Sequence, residues 1–472
     1  MFVPEVQKNQ NASGLCAVQA VRVMTYLRTP RYPTAFLLAA YSKTASHSVG
    51  LQRPRERLLS QSKSQASDDA VSAGLESPVD PNERAEQRPV WAWIDRSALR
   101  HNCRRAERLA DGRDVIGVVK ADAYGHGAEV VARTMLASGV KRLAVVSIGE
   151  GATLRNAGIT APILLLGGIQ SLAAAIASSQ HHLTPVIHDE QGLLLASRSV
   201  DSDAKLAAEV EIEVDTGMRR MGVLEDEAAG LIEKVMAAPG LRLSGVYTHL
   251  ARADEADPEP SRAQCLALAE AIRGLPESGA GRPAIHVANS GGLFRLNEFE
   301  SGRIETDAVR PGLMLYGLSP FADRSAAELD LEPVMTLEAL VISTRRVSAG
   351  TAVGYGGEWV APVDTTIATL PLGYADGMPR ALKGRGEIFL AGEMRPIVGR
   401  ISMDSLCLDV GDAAVEVGDL ATVFGLTPGG ERVPVEKFAE DAGTIGYEIL
   451  VGIGQRVQRR TTDGSPPERA RK

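Results

Sequence analysis

Between Val115 and Val309 the sequence repeats one alternation eight times: a short apolar run, then a stretch that is polar or helically periodic. The runs are Val115–Val119, Leu143–Ser147, Pro162–Leu166, Thr184–Ile187, Leu206–Val214, Arg242–Thr248, Ala284–Val287 and Glu305–Val309. Helical patterns between them include 127–138, 226–238 and 260–274. Apolar strands of this kind need cover on both faces, which βα crossovers supply. Eight such units in roughly 200 residues match a closed (β/α)8 barrel. An open doubly wound sheet competes, but no Gly-x-Gly-x-x-Gly follows the first run.

A strand at Val90–Asp95 and a helix over 97–109 precede the alternation, and from about Thr336 helical periodicity stops. Short β-rich segments follow: 339–347, 365–370, 387–390, 395–398, 406–410 and 420–424, punctuated by Gly, Pro and Asp. They predict a C-terminal antiparallel β domain with one short helix near 437–441. The expected layout is therefore an extension over 1–88, a barrel over 89–335, a β domain over 336–460 and a frayed tail over 461–472. A chain of 472 residues has ample length for such cores.

The extension differs from the rest. Up to Arg55 it has one acidic residue, Glu5, against seven basic ones, and 42–81 is rich in Ser, Gln, Arg and Asp. That composition predicts weak order. The run 35–41 behind Arg28 and Arg31 has a signal-peptide flavour but is short and late, and an Arg- and Ser-rich leader also suits an organelle transit peptide. The plainest reading is a dispensable extension or an over-long gene start. The net charge of −8 gives no basic footprint for nucleic acid. Cys16, Cys103, Cys265 and Cys407 are scattered, without metal-ligand spacing, which argues against zinc or a disulfide framework and suits a reducing compartment. No apolar run reaches membrane-spanning length. A soluble, cytoplasmic protein is expected.

In a barrel, chemistry gathers where strands end at their carboxyl side. Lys120 follows the first run, Arg219 and Arg220 the fifth, His249 the sixth, Asn289 and Ser290 the seventh, and Arg310 the eighth with Gly312 two residues on. A lysine at a strand mouth can desolvate, lose its proton and attack an aldehyde to form a Schiff base. Together these groups could hold a phosphate, a carboxylate and an aldehyde. Each has a plainer alternative: Lys120 a solvated surface lysine, Arg220 a rim ion pair, His249 a satisfied core histidine, Gly312 mere turn chemistry.

The segment Lys120-Ala-Asp-Ala-Tyr124-Gly-His-Gly127 resembles the pyridoxal-phosphate (PLP) attachment segment of bacterial alanine racemases, and the resemblance continues over about 88–460. Asp215–Gly222, Tyr247-Thr248-His249, Ala288-Asn289-Ser290 and Val309–Leu313 are similar to family motifs, as are 353–356, 373–377, 399–404 and 445–448. The resemblance implies a barrel plus β domain, paired head to tail as a homodimer, that racemises alanine and supplies D-alanine for peptidoglycan. It implies PLP on Lys120. Tyr124, Ser290, Gly312, Leu313 and Tyr447 hold the phosphate, Arg310 faces the ring nitrogen, and His249 supports Arg310. Lys120 and a tyrosine of the partner, matching Tyr355, are the two bases. Arg220 and the backbone of Met403 bind the substrate carboxylate, and Asp254, Tyr374, Arg380 and Arg400 line an access corridor.

Two departures stand out. Many family members carry a lysine, able to be carbamylated, where this chain has Glu213, and Arg219 stands where a small residue is common. Glu213 is expected to pair with Arg220, with a solvated glutamate as the alternative. Competing functions are a PLP decarboxylase, a racemase for serine or larger residues, and a non-catalytic PLP-binding protein. The Val-Gly-Tyr-Gly segment and the β domain weigh against the first and the last.

Overall fold

The computed structural model describes residues 88–200, 207–276, 279, 281–300 and 302–464. The expectations for the extension, for 1–87, and for 465–472 lie outside these residues. Twenty-one strands are ordered along the described chain: β1 (Val90–Asp95), β2 (Asp114–Val118), β3 (Arg142–Val145), β4 (Ile163–Leu165), β5 (Leu183–Ile187), β6 (Ala208–Asp215), β7 (Val223–Leu224), β8 (Leu241–Tyr247), β9 (Ala284–His286), β10 (Ala308–Val309), β11 (Met335–Leu340), β12 (Ser343–Val347), β13 (Ala352–Val353), β14 (Trp359–Val360), β15 (Thr365–Leu370), β16 (Glu387–Leu390), β17 (Glu393–Val398), β18 (Leu406–Gly411), β19 (Leu420–Leu426), β20 (Arg432–Val433) and β21 (Gln458–Thr462).

The eight anticipated runs close into one parallel barrel, β2-β3-β4-β5-β6-β8-β9-β10 and back to β2. Between the strands lie α1 (Arg96–Ala110), α2 (Ala128–Ala137), α3 (Ile148–Asn156), α4 (Leu172–Gln180), α5 (Glu190–Ser199), α6 (Ala228–Ala237) and α7 (Glu259–Ala271). Local chemistry sets their starts. Ser147 caps α3 and Glu150 completes a capping box, while Asp189 caps α5 through the Gly192 N–H. Each cap fixes where the chain leaves a strand end, and so aims the loops above the barrel.

The second sheet runs β12-β15-β18-β17-β16-β19-β11-β1-β21, with β20 on β19. It carries two short helices, α8 (Val435–Ala442) and α9 (Gly446–Gly452), where one was expected. Two boundary expectations need correcting. β1 belongs to this sheet and not to the barrel: it pairs antiparallel with β11 and parallel with β21. The eight barrel strands pair with one another in a closed ring, whereas β11 has an edge beside β19 that β1 takes up. The chain beyond 460 is ordered as far as described. β21 runs to Thr462, Asp463 pairs with Arg96 and Arg100, and the Gly464 N–H donates to Asp95 Oδ1 at 3.0 Å. No described helix is long and apolar enough to cross a membrane.

Candidate active site

β2 ends at Val118 and delivers Lys120 to the mouth of the barrel. The next four residues, Ala121 to Tyr124, all take left-handed backbone angles, with φ between 51° and 54°. L-residues pay about 1–2 kcal/mol each for this conformation, so the turn survives only because its surroundings hold it. The holding groups are identifiable. Glu150 Oε1 accepts the Ala121 N–H at 2.8 Å, Asp122 Oδ1 accepts the Ala128 N–H at 2.7 Å, and Arg459 Nε donates to the Gly125 carbonyl at 3.1 Å. His126, fully buried, has Nδ1 within 3.0 Å of the Ala123 carbonyl and 2.9 Å of the Tyr124 carbonyl.

The result is a cavity of about 440 Å³ lined by Lys120, Tyr124, Arg220, His249, Asp254, Ser290, Arg310, Gly312, Leu313 and Tyr447 among others. Ten of the fifteen residues expected from sequence thus share one pocket. A larger cavity of about 910 Å³ adjoins it through Arg220 and Met221, but its lysine, Lys234, is tied up by Glu190. The reactive groups converge on the smaller one.

One wall is a cradle of small groups and donors. Ser290 Oγ accepts the N–H groups of Gly312 at 3.1 Å and Met314 at 3.3 Å. A Cβ on Gly312 would lie 2.5 Å from the Tyr124 hydroxyl, so only glycine lets that hydroxyl approach so closely. Tyr124 packs on Tyr316 at 4.6 Å between centroids and faces Tyr447 at 6.3 Å. Burial, then the nearby Tyr447, raises the Tyr124 phenol beyond its ordinary range, so it stays a donor.

The opposite groups are cationic. Burial, then the Arg220 charge, lowers the Lys120 ammonium from its ordinary value, while Glu150 works the other way. Burial and the cations Arg310, Arg220 and Lys120 push His249 down to about 3, so its ring is neutral. Arg310 is 4% exposed. Its guanidinium donates to the Thr248 carbonyl at 2.7 Å and to His286 Nδ1 at 2.5 Å, and sits 4.3 Å above the Tyr247 ring. The imidazole behind Arg310 is therefore His286 rather than the expected His249, which faces the cavity. Strand parity on β9 was the available signal for His286.

Glu213 also departs from expectation. It is buried, and it accepts the Tyr247 hydroxyl at 3.1 Å; His188 Nε2 lies 3.2 Å away without hydrogen-bond alignment. Glu213 and Tyr247 sit opposite one another in the β6–β8 pairing, so both side chains lie on the same face, and both line the cavity. Arg220 comes seven residues later, beyond the turn, and no ion pair joins the two among the described residues. Arg220 is exposed and faces the cavity, while Arg219, with φ 55°, pairs with Glu225 at 3.1 Å. The alternative of a solvated glutamate fails too: Glu211 is buried as well.

Five expected residues do not reach this cavity. Tyr355, Met403 and Tyr374 are 71%, 52% and 44% exposed on the β domain. Arg400 is there too, paired with Glu358, and Arg380 is exposed. Four of the five are neighbours: the turn after Tyr355 packs on Arg400, and the Tyr374 N–H donates to the Ser402 carbonyl beside Met403.

The family models for the N-terminal and C-terminal domains of alanine racemase match residues 94–320 and 334–461. The alanine racemase of Desulforamulus reducens is 39% identical over 375 residues, which are 79% of this chain and 98% of that protein. That of Halothermothrix orenii is 38% identical, covering 79% and 96%. This chain belongs to the alanine racemase family. Solved alanine racemases agree. The Streptomyces lavendulae structure superposes with a TM-score of 0.74 at 33% identity, covering 80% of this chain and 98% of that one. The biosynthetic enzyme of Pseudomonas aeruginosa gives 0.71 at 33%, covering 80% and 100%. As an alanine racemase family member the chain is an isomerase, and its barrel and separate β sheet are the architecture of that family.

Proposed function

We propose that this chain interconverts L- and D-alanine with PLP held on Lys120, using two bases supplied by two subunits. The observation that carries the reading is the pairing of a partly desolvated lysine with a cradle of hydroxyls in one cavity. The Ser290 and Tyr124 hydroxyls beside Gly312 and the buried Arg310 fit the phosphate and ring of PLP in donor type. When bound, PLP supplies the electron sink that lets a Cα–H bond ionise.

The protein's own groups do the rest. Lys120 would hold the cofactor covalently, and its amine, freed by substrate, exchanges a proton on one face of Cα. Tyr124, Ser290, Leu313 and Tyr447 would anchor the phosphate. Arg310 has donors only and cannot give up a proton at physiological pH, so it would hold the ring nitrogen unprotonated. Arg220, which has no ion pair among the described residues, would bind the substrate carboxylate with the Met403 backbone. His249, neutral beside three cations, adds no charge to a site that must take an anion.

Tyr355 would serve the other face of Cα. In one chain it is exposed on the β domain with Tyr374, Met403 and Arg400, a grouping that makes sense if this surface closes the cavity of a partner. A head-to-tail homodimer supplies that closure and makes Asp254, Tyr374, Arg380 and Arg400 a narrow polar corridor. A narrow gate favours the methyl side chain of alanine. The setting we propose is the cytoplasm, where D-alanine feeds peptidoglycan synthesis. The test is a racemisation assay of the purified protein with L-alanine, L-serine and larger L-amino acids, alongside the visible absorbance of bound PLP. Turnover of alanine above the others is expected. A bound chromophore without racemisation of any amino acid would overturn the reading in favour of a PLP carrier.

A further inference from the structure

The barrel interior below Arg310 carries charge where such barrels ordinarily pack branched apolar side chains. Arg142, the first residue of β3, pairs with Glu211 on β6. Glu211 is fully buried, and its other oxygen lies 3.1 Å from His286 Nε2 on β9. His286 Nδ1 in turn receives Arg310 at 2.5 Å. Tyr247 lies alongside, its ring 4.9 Å from the His286 ring and its hydroxyl on Glu213. Buried ionic groups are costly to desolvate and often replaceable by apolar ones, so a row of them spanning the interior calls for a reason.

Hydrogen-bond chemistry supplies it. A guanidinium can only donate, so His286 Nδ1 must be the accepting nitrogen. A neutral imidazole accepting at Nδ1 carries its proton on Nε2, and among the described residues the acceptor for that proton is Glu211. We infer that Glu211 is a positioning residue for Arg310: it fixes the His286 tautomer, and Arg142 keeps it ionised at the bottom of the barrel. The inference rests on the reading above, in which Arg310 meets the ring nitrogen of PLP. With the other tautomer, an N–H would oppose the guanidinium and turn it out of line. Burial holds His286 down at about 4, against the pull of Glu211, so the ring stays neutral. Burial alone would raise the Glu211 carboxyl, but the hydrogen bond from His286 and the Arg142 guanidinium hold it below the ordinary carboxylate range.

A plainer alternative is that Arg142 and Glu211 merely balance each other as barrel filling. The double variant Glu211→Leu/Arg142→Leu separates the two, because it removes both charges and strands neither. Its urea midpoint should stay near wild type. We expect kcat for alanine to fall about tenfold or more, the equivalent of losing one hydrogen bond's alignment, with KM little changed. The pH at which the band of bound PLP changes, read without substrate, should shift. Glu211→Gln, whose carbonyl can still accept from Nε2–H, should recover more activity than Glu211→Leu. Wild-type kcat and band in the double variant would overturn the inference. Neutron diffraction of the wild-type holoenzyme tests it without any variant: a proton on His286 Nε2 supports it, and one on Nδ1 overturns it. If the wild-type protein neither binds PLP nor racemises alanine, the functional reading falls instead, and the neutron result still decides the tautomer.

Discussion

Gly125→Ala should damage both stability and the cofactor site, and the structure sets the scale. Gly125 has φ 80°, and a Cβ there would lie 2.3 Å from the Leu450 carbonyl oxygen and 3.1 Å from its carbon. Both atoms are backbone of α9, so no flexible side chain can swing away. The left-handed angle costs alanine about 1–2 kcal/mol and the overpacking about 1–3 kcal/mol, so a loss of about 2–5 kcal/mol is expected. Relief comes by moving α9, which carries Tyr447, or the turn that carries Tyr124 and Lys120. A displacement on the order of 1 Å at reacting groups can slow turnover about 10²-fold. Urea denaturation with and without PLP, PLP titration of the stripped protein, and alanine turnover measure the three effects. A stability change under about 1 kcal/mol, together with unchanged PLP affinity, would refute the argument that this contact holds the lysine turn in place.

Lys120→Ala should lose the visible PLP band and racemisation together; a variant that still traps PLP covalently on reduction would contradict the assignment. Tyr355→Phe should keep PLP bound while slowing proton exchange from L-alanine by about 10²–10⁴. Mixing it with Lys120→Ala should restore activity as subunits exchange, and verified exchange without recovery would argue against shared sites. Buried His126 is held down at about 4, chiefly by burial, against an ordinary 6.5. Its stabilising effect is present above pH 6.5 and lost as pH falls toward 4, because the unfolded chain takes up a proton that the folded one refuses. His126→Asn should therefore flatten part of the acid limb of stability against pH, and equal slopes in both proteins would count against it.

Much of the barrel was legible because each strand is a short apolar run between helical stretches. Val115–Val119 was expected and Asp114–Val118 found, Thr184–Ile187 expected and Leu183–Ile187 found. The membership of β1 was not legible. Its partners, β11 and β21, lie more than 200 residues downstream, and nothing local in Val90–Asp95 distinguishes a barrel strand from an edge-joining one. The partner of Arg310 was open to a sharper reading. Glu211, Glu213 and Asp215 share one face of β6, and buried carboxylates require partners on other strands that face the same interior. His286 on β9 was the available imidazole, hidden because Ala284-Ile285-His286 reads simply as an apolar strand end.

The division of the site within one chain fits the expectation that Tyr355 acts from the partner: Lys120, Ser290 and Arg310 converge while Tyr355, Tyr374 and Met403 face solvent. The turn that presents Tyr355 has Gly354, Gly356 and Gly357 at φ 76°, 77° and 57°, conformations that favour glycine. Such a turn throws the aromatic ring outward, with Arg400 packed beneath Gly356 and paired with Glu358. An outward tyrosine on a braced turn is poorly explained by the fold of one chain, since burying it would save apolar area. It is well explained by a surface built to enter another copy's cavity, and the subunit-mixing experiment asks that question directly.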